Sequence, residues 1–322
     1  MLKLVIIDGN AILHRAFHAL PPLTTTDGKL VNAVFGFTSM LIRVVHDLRP
    51  THLIVTFDRP KPTFRKQLFV GYQAKRPKMK DELSGQIGLV HELVTMMGIP
   101  IFEMDGYEAD DVIGTLAEKI KTQSESDHAF ETIIVTGDRD LLQLVDTHTK
   151  VYMPVKGISE SKLFSEKEVK EKFGISPAQM VDYKSLVGDQ SDNYPGVAGI
   201  GPKTARDLLA KFNTLEHLYT HLGDVESQRI RMVLAENAES AGMAKKLATI
   251  VRDVPIEVDF KKCKLKTFDK PNVRAKLEEL SFRSLIPRLG MDDTKITHNR
   301  KQITDNKKPS SIKSDTEQIR LF

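Results

Sequence analysis

The 322-residue chain has a single cysteine, Cys263, which rules out an internal disulfide framework and fits a reducing compartment. Long apolar runs are also missing. The opening "MLKLVIIDGN" is broken by Asp8 too early for a signal peptide, and no later stretch could span a bilayer. A cytoplasmic protein without a membrane partner is therefore expected. There is no internal repeat and little excess of one charge sign. Lys and Arg total 47 against 43 Asp and Glu, a net charge of +4 that favours an anionic partner only mildly. The remaining composition is that of a chain able to bury a core, long enough for two lobes or one large α/β domain with an appendage.

Short β-branched runs alternate with amphipathic segments. "KLVIID", "HLIVTFD", "IPIFEMDG" and "ETIIVTGD" read as buried strands. Val31, Val34, Phe35, Leu41, Val44, Val45 and Leu48 recur at helical spacing between the first two, and "DELSGQIGLVHELVTMM" does so before Gly98. This alternation predicts an α/β fold with a mostly parallel central sheet flanked by helices. From about Ser165 the strand signal fades and helical pieces dominate. The expected organisation is a core over 1–164, a helical part over 165–290 and a polar, disordered tail over 291–322.

All four expected strands deliver acids to their carboxyl ends, where open parallel sheets bind ligands. These are Asp8, then Asp58, then Glu108, Asp110 and Asp111, then Asp138 and Asp140; Asp189 and Asp192 add a pair spaced for one helix face. Any one of them could be a helix N-cap. Acids at every strand tip of a net basic chain are better explained by bound cations. With no His or Cys among them, the donors suit Mg²⁺ or Mn²⁺, and their number suits two ions working on a phosphate ester.

"GVAGIGPKTARDLLAKF" places Gly196, Gly199 and Gly201 before a helix opened by Pro202, with Lys203 and Thr204 beside it. Either this is a turn between core helices or it aims backbone N–H groups at an anion. It is not an ATP-binding P-loop, because Pro202 separates the lysine from the last glycine. The pattern resembles a helix–hairpin–helix, here about 185–212. The segment at about 59–82 holds Arg59, Arg65, Lys66, Lys75 and Arg76 among aromatic residues that include Tyr72. Such a run is either a solvated face or a surface for nucleic-acid strands.

Together, "DGN", "GYEADDVIG", "TGDRDLLQLV", "GDQSDNYPGVAGIGPKTA" and the basic segment resemble the 5′-3′ exonuclease and flap endonuclease family, with a particular likeness to the 5′-nuclease domain of bacterial DNA polymerase I. The resemblance implies a PIN-like 5′-nuclease fold whose nine acids bind two Mg²⁺ or Mn²⁺ ions. It implies a glycine loop on duplex DNA, helped by K⁺, and an arch through which a 5′ strand passes. The activity implied is cleavage near 5′ ends, flaps and nicks in replication and repair, including removal of RNA primers, by a monomer that works with a DNA polymerase. A non-catalytic DNA-junction-binding protein of the same fold is the alternative, and a small-molecule phosphohydrolase is less suited to the loop and arch.

One departure concerns the arch. Relatives usually read Tyr-Lys-Ala-x-Arg, whereas this chain has Gln73 in place of the lysine, so Lys75 or Arg76 is expected to supply the missing charge. Tyr72 and Phe35 are expected to stack on bases or to belong to the core. The ending "QIRLF", with Gln318, Leu321 and Phe322, resembles the peptide by which bacterial replication proteins dock on the sliding clamp, and it suggests a free-standing enzyme tethered there. Deleting these five residues should abolish retention on immobilised clamp in a pull-down; equal retention would show that the peptide plays no part.

Overall fold

The computed structural model describes residues 2–124, 130–156 and 160–290. The expected tail and its clamp-binding residues Gln318, Leu321 and Phe322 lie outside them. Elements follow as β1 (Leu2–Asp8), α1 (Gly9–Ala19), α2 (Asn32–Leu48), β2 (His52–Thr56), α3 (Phe64–Leu68), α4 (Asp81–Met97), β3 (Ile101–Phe102), α5 (Ala109–Ser124), β4 (Phe130–Val135), β5 (Thr149–Lys156) and β6 (Glu160–Phe164). The helical part then runs through α6 (Glu166–Phe173), α7 (Met180–Val187), β7 (Gly188–Asp189), β8 (Tyr194–Pro195), α8 (Pro202–Phe212), α9 (Leu215–Thr220), α10 (Gln228–Glu236), α11 (Ala238–Ala248) and α12 (Pro271–Glu279).

The sheet order is β3-β2-β1-β4-β5-β6. Pairings from β3 to β5 are parallel, and β6 returns antiparallel along β5. The expected strands are all present, and β5 and β6 add an edge that the four acidic tips did not announce. Strand β1 shows how the sheet is held. Leu4 and Ile6 pack with Val112, Ile113 and Leu116 of α5, while Val5 and Ile7 pack with Ile12, Val34, Phe37 and Leu41 on the other face. Alternating side chains thus reach two apolar layers, as a sheet covered on both faces requires.

Chain order reverses at β1: β2 and β3 are laid outward on one side of it, β4 and β5 on the other. Such a reversal leaves a crevice beyond the carboxyl ends of the two central strands. Register puts Asp8 opposite Thr56 and Ile7 opposite Val135, so Asp8, Asp58 and Asp138 emerge along one rim.

Beyond α7 the chain forms the tight β7–β8 ladder, with Gly188 opposite Pro195. A Cβ on Gly196 would stand 2.3 Å from the Gly188 nitrogen, and one on Gly188 would stand 2.5 Å from the Gly196 nitrogen. The two backbones touch where no side chain fits. Gly196 is thus committed to packing, whereas Gly199 turns the chain at φ 86° and Gly201 is open at the N-cap of α8. Gly196→Ala should therefore lower stability by about 1–3 kcal/mol, the usual cost of overpacking, with a drop in melting temperature as the readout.

Candidate active site

Three carboxylates converge at the central crevice. Asp8 caps α1 by accepting the Ala11 N–H at 3.0 Å, and its second oxygen accepts the Thr136 hydroxyl at 2.7 Å. The same hydroxyl accepts the Asp138 N–H at 2.9 Å, so Thr136 ties the tips of β1 and β4 together. Asp110 comes from the first turn of α5, whose Ala109 N–H donates to Asp58 at 2.7 Å. Burial, with Asp58 nearby, pushes the Asp8 carboxyl up to about 6. Asp138 stands at the open rim, yet crowding that strips its hydration and then the Asp140 charge push it up to about 7. Asp110 is raised by burial and by Asp138, Asp8, Asp140 and Asp58. Among the described residues none of Asp8, Asp110 and Asp138 forms an ion pair.

A second group lies beside the first. Carboxylate oxygens of Asp140, Asp189 and Asp192 fall within 4.8 Å of one another. Asp189 and Asp192 lie not on one helix face, as their spacing suggested, but across the β7–β8 turn. There Asp189 accepts the Ser191 N–H at 2.8 Å and the Asp192 N–H at 3.3 Å, since an aspartate two or three residues ahead of an N–H caps a turn as readily as a helix. Lys184 of α7 donates to both Asp140 and Asp189. Burial opposes its charge, but Asp140, Tyr194 and Asp189 outweigh that and raise its pKa. Burial would raise Asp189, yet Lys184 brings it below the usual range, while burial, Asp140 and Asp189 raise Asp192. Nothing in the sequence singled out Lys184, a lone lysine on an ordinary helix.

Asp110 and Asp111 diverge. Asp111 is fully buried, and its oxygens accept both terminal nitrogens of Arg65 at 2.7 and 2.8 Å, the Val251 N–H at 2.9 Å and the Glu108 N–H at 3.1 Å. Arg65 is only 2 % exposed and also holds the carbonyl oxygens of Leu247 and Thr249 and a Glu108 oxygen at 3.1 Å. Expected on the DNA-facing surface, Arg65 is instead the buried counter-charge of Glu108 and Asp111, and Asp111 faces it rather than the crevice. Tyr72 is likewise inside, 4 % exposed, stacked with Tyr194 and donating to Glu108 at 3.0 Å. Burial nonetheless pushes Glu108 up to about 7, with Arg65 opposing. Phe35 packs edge-on against Phe282.

Gln73, at φ 54°, donates its amide to an Asp192 carboxylate oxygen at 3.0 Å and its backbone N–H to the Asp192 carbonyl at 2.8 Å. The Asn193 amide returns a bond to the Gly71 carbonyl at 2.7 Å. Lys66, Lys75 and Arg76 are exposed, as is Lys203, with Thr204 half-buried. Arg59 pairs with Asp105 at 2.8 Å. Beside Asp138 opens a groove lined by Ala11, His14, Arg15, His18, Ala19 and Gly137.

This donor set fits hard divalent ions. Asp8, Asp58, Asp110 and Asp138 offer oxygens alone, and the raised proton affinities of Asp8, Asp110 and Asp138 mark negative charge that a cation would neutralise. Asp140, Asp189 and Asp192 offer a second oxygen group whose charge Lys184 offsets in part.

The chain matches the family descriptions "5′-3′ exonuclease, N-terminal resolvase-like domain" over residues 3–174 and "5′-3′ exonuclease, C-terminal SAM fold" over residues 175–271. It is 42 % identical over 290 residues to DNA polymerase I of Bacillus subtilis, covering 90 % of this chain but only 32 % of that protein. The chain thus spans about a third of the length of its polymerase relatives. A 5′-3′ exonuclease of Aquifex aeolicus is 37 % identical over 286 residues, which is 89 % of this chain and 94 % of that one. Among solved structures, zinc-bound T5 5′-exonuclease aligns at TM-score 0.64 and 17 % identity, covering 89 % of this chain and all of that one. Flap endonuclease-1 of Methanococcus jannaschii aligns at 0.57 and 20 %, covering 90 % and 91 %; both show a shared fold. Matched along nearly its whole described length, the chain belongs to the 5′-3′ exonuclease family.

Proposed function

We propose that the chain is a divalent-metal-dependent 5′-3′ exonuclease and flap endonuclease acting on 5′ ends, flaps and nicks of DNA. The observation carrying this reading is the mutually repelling set Asp8, Asp110 and Asp138, crowded from the buried tip of β1 to the open rim and without an ion pair among the described residues. A fold kept only for binding would gain nothing from such a cost. Asp8, Asp58, Asp110 and Asp138 would hold one Mg²⁺, and Asp140, Asp189 and Asp192 a second, more loosely because Lys184 competes for the same oxygens. When bound, the ions supply an activated water and charge stabilisation at the scissile phosphate. Thr136 fixes the orientation of Asp8 relative to the β4 tip, and Gln73 fixes Asp192. Exposed Lys75 and Arg76, at the base of the basic segment, are placed to draw a strand's phosphates inward. Gly199, Gly201, Lys203 and Thr204 would grip duplex backbone at the N-terminus of α8, with K⁺ as a further ligand of the loop.

Cleavage of a 5′-labelled double-flap substrate in Mg²⁺ tests the reading. Asp138→Asn should slow single-turnover cleavage by roughly 100-fold, on the scale of removing one group that stabilises transition-state charge. Lys75→Ala or Arg76→Ala should slow it by about tenfold; no effect from either would remove them from the mechanism.

The raised carboxyls set a pH dependence. Asp8 and Asp138, raised to about 6 and about 7, bind protons more tightly folded than unfolded. Their stabilising contribution is therefore full below the usual carboxylate pKa and is lost as pH rises through 6–7. The metal-free protein should melt lower at pH 8 than at pH 5. Mg²⁺ at about 100 times its Kd should restore about 2.7 kcal/mol at pH 8 and far less at pH 5. Equal Mg²⁺ effects at the two pH values would contradict the assignment.

A further inference from the structure

Arg139 lies between Asp138 and Asp140 in the turn after β4 and is exposed. Lys162 of β6 and Lys172 of α6 both lean over one ring, with ammonium nitrogens 5.4 and 5.0 Å from the centroid of the buried Phe164. Lys172 also stands 5.6 Å from the Phe173 ring. Partial burial, then the charges of Arg139 and Lys162, lower the proton affinity of Lys172. The α6 helix ends at Gly174, and the stem of Arg206 from α8 lies against it, 3.1 Å from where a Cβ would stand. Among the described residues none of these four cations forms an ion pair with a carboxylate. On α6, Glu168 feels Lys162 but is already engaged in the capping box with Ser165, and Glu171 pairs with Lys167.

Like charges are held together at some cost unless an anion joins them. Here they run from the turn that carries Asp138 and Asp140, past the end of α6, to the helix opened by the glycine loop. Two of them rest on aromatic rings, which fixes the ammonium groups without neutralising them.

We propose that Arg139, Lys162, Lys172 and Arg206 form a phosphate track that holds the duplex backbone between the catalytic crevice and the glycine loop. The inference rests on the nuclease reading and assigns that reading's substrate a contact surface outside both the arch and the loop. Such contacts are made to phosphate, so they position the duplex without reading its bases.

The test is binding of a fluorescent double-flap DNA, measured with Ca²⁺ in place of Mg²⁺ across a salt series, for the full chain and for Lys162→Ala/Lys172→Ala. Both lysines are exposed, so the double variant should keep its melting temperature, and Lys162→Gln/Lys172→Gln provides a second form. Losing two phosphate contacts should weaken binding by about tenfold or more at low salt. It should also reduce the slope of log Kd against log salt by about 2. An unaltered affinity and salt slope in both variants would overturn the track. Flap cleavage by the parent protein is scored in the same assay, so failure of the nuclease reading shows in the parent and failure of the track shows only in the comparison.

Discussion

Repulsion among carboxylates is the constraint around which the candidate site is built. The parallel sheet brings Asp8, Asp58 and Asp138 to one rim because β1, β2 and β4 all end there, and α5 adds Glu108, Asp110 and Asp111 to the same edge. Acids gathered this way are costly unless positive charge is distributed among them. Among the described residues, two cations pair directly with these acids. Arg65 of α3 neutralises Asp111 and Glu108, and Lys184 bridges Asp140 and Asp189. Between these two cations, Asp8 and Asp138 accept hydrogen bonds from Thr136 and the backbone, and Asp110 lies among them without an ion pair to any described residue. The unneutralised charge therefore sits at the topological switch point, the position where an α/β sheet is open to a ligand.

The same two cations join parts of the chain that are far apart in sequence. Arg65 reaches from α3 to the carbonyl oxygens of Leu247 and Thr249 at the end of α11, so Glu108, Asp111, the basic segment and the helical part share one buried side chain. Tyr72, Gln73 and Asn193 add a second seam, with Gln73 and Tyr72 both reaching Asp192. A basic segment bonded to Asp192 through Tyr72 and Gln73 cannot move far without disturbing the second carboxylate group. Gln73 is suited to that task because an amide fixes a carboxylate by geometry without cancelling the charge an ion would need.

Much of this was legible in the sequence, and the parts that were not share a cause. Strand positions and acidic tips could be read because a buried parallel strand is a short apolar run and its end is a local feature. β5 and β6 carry a weak signal because "TKVYMPVK" and "ESKLF" mix polar and apolar residues; β5 is nonetheless buried from Val151 to Pro154, and only β6, at the sheet edge, turns polar residues outward. Asp189 and Asp192 were placed on a helix because a spacing of three serves a helix face and a capped turn alike. Arg65 and Tyr72 sat in a basic, aromatic run whose composition suggested a surface. Only the tertiary packing of α3 against α5 and α11 turns them inward, and no local pattern encodes that. Lys184 had no signal at all, since its partners come from two other segments.

The adjacent acids Asp110 and Asp111 show how the division of labour arises. Consecutive residues on an α-helix point about 100° apart, so two aspartates at the start of α5 cannot share a partner. With Ala109 held by Asp58 and the Glu108 N–H held by Asp111 itself, the helix start cannot rotate to exchange them. One carboxylate is thereby committed to the buried arginine, and the other is forced toward Asp8 and Asp138, where no described side chain forms an ion pair with it. Electrostatic strain at the crevice is thus fixed by backbone geometry rather than by the acids' number. Removing Arg65 would not relieve it but would add a second uncompensated charge in the interior.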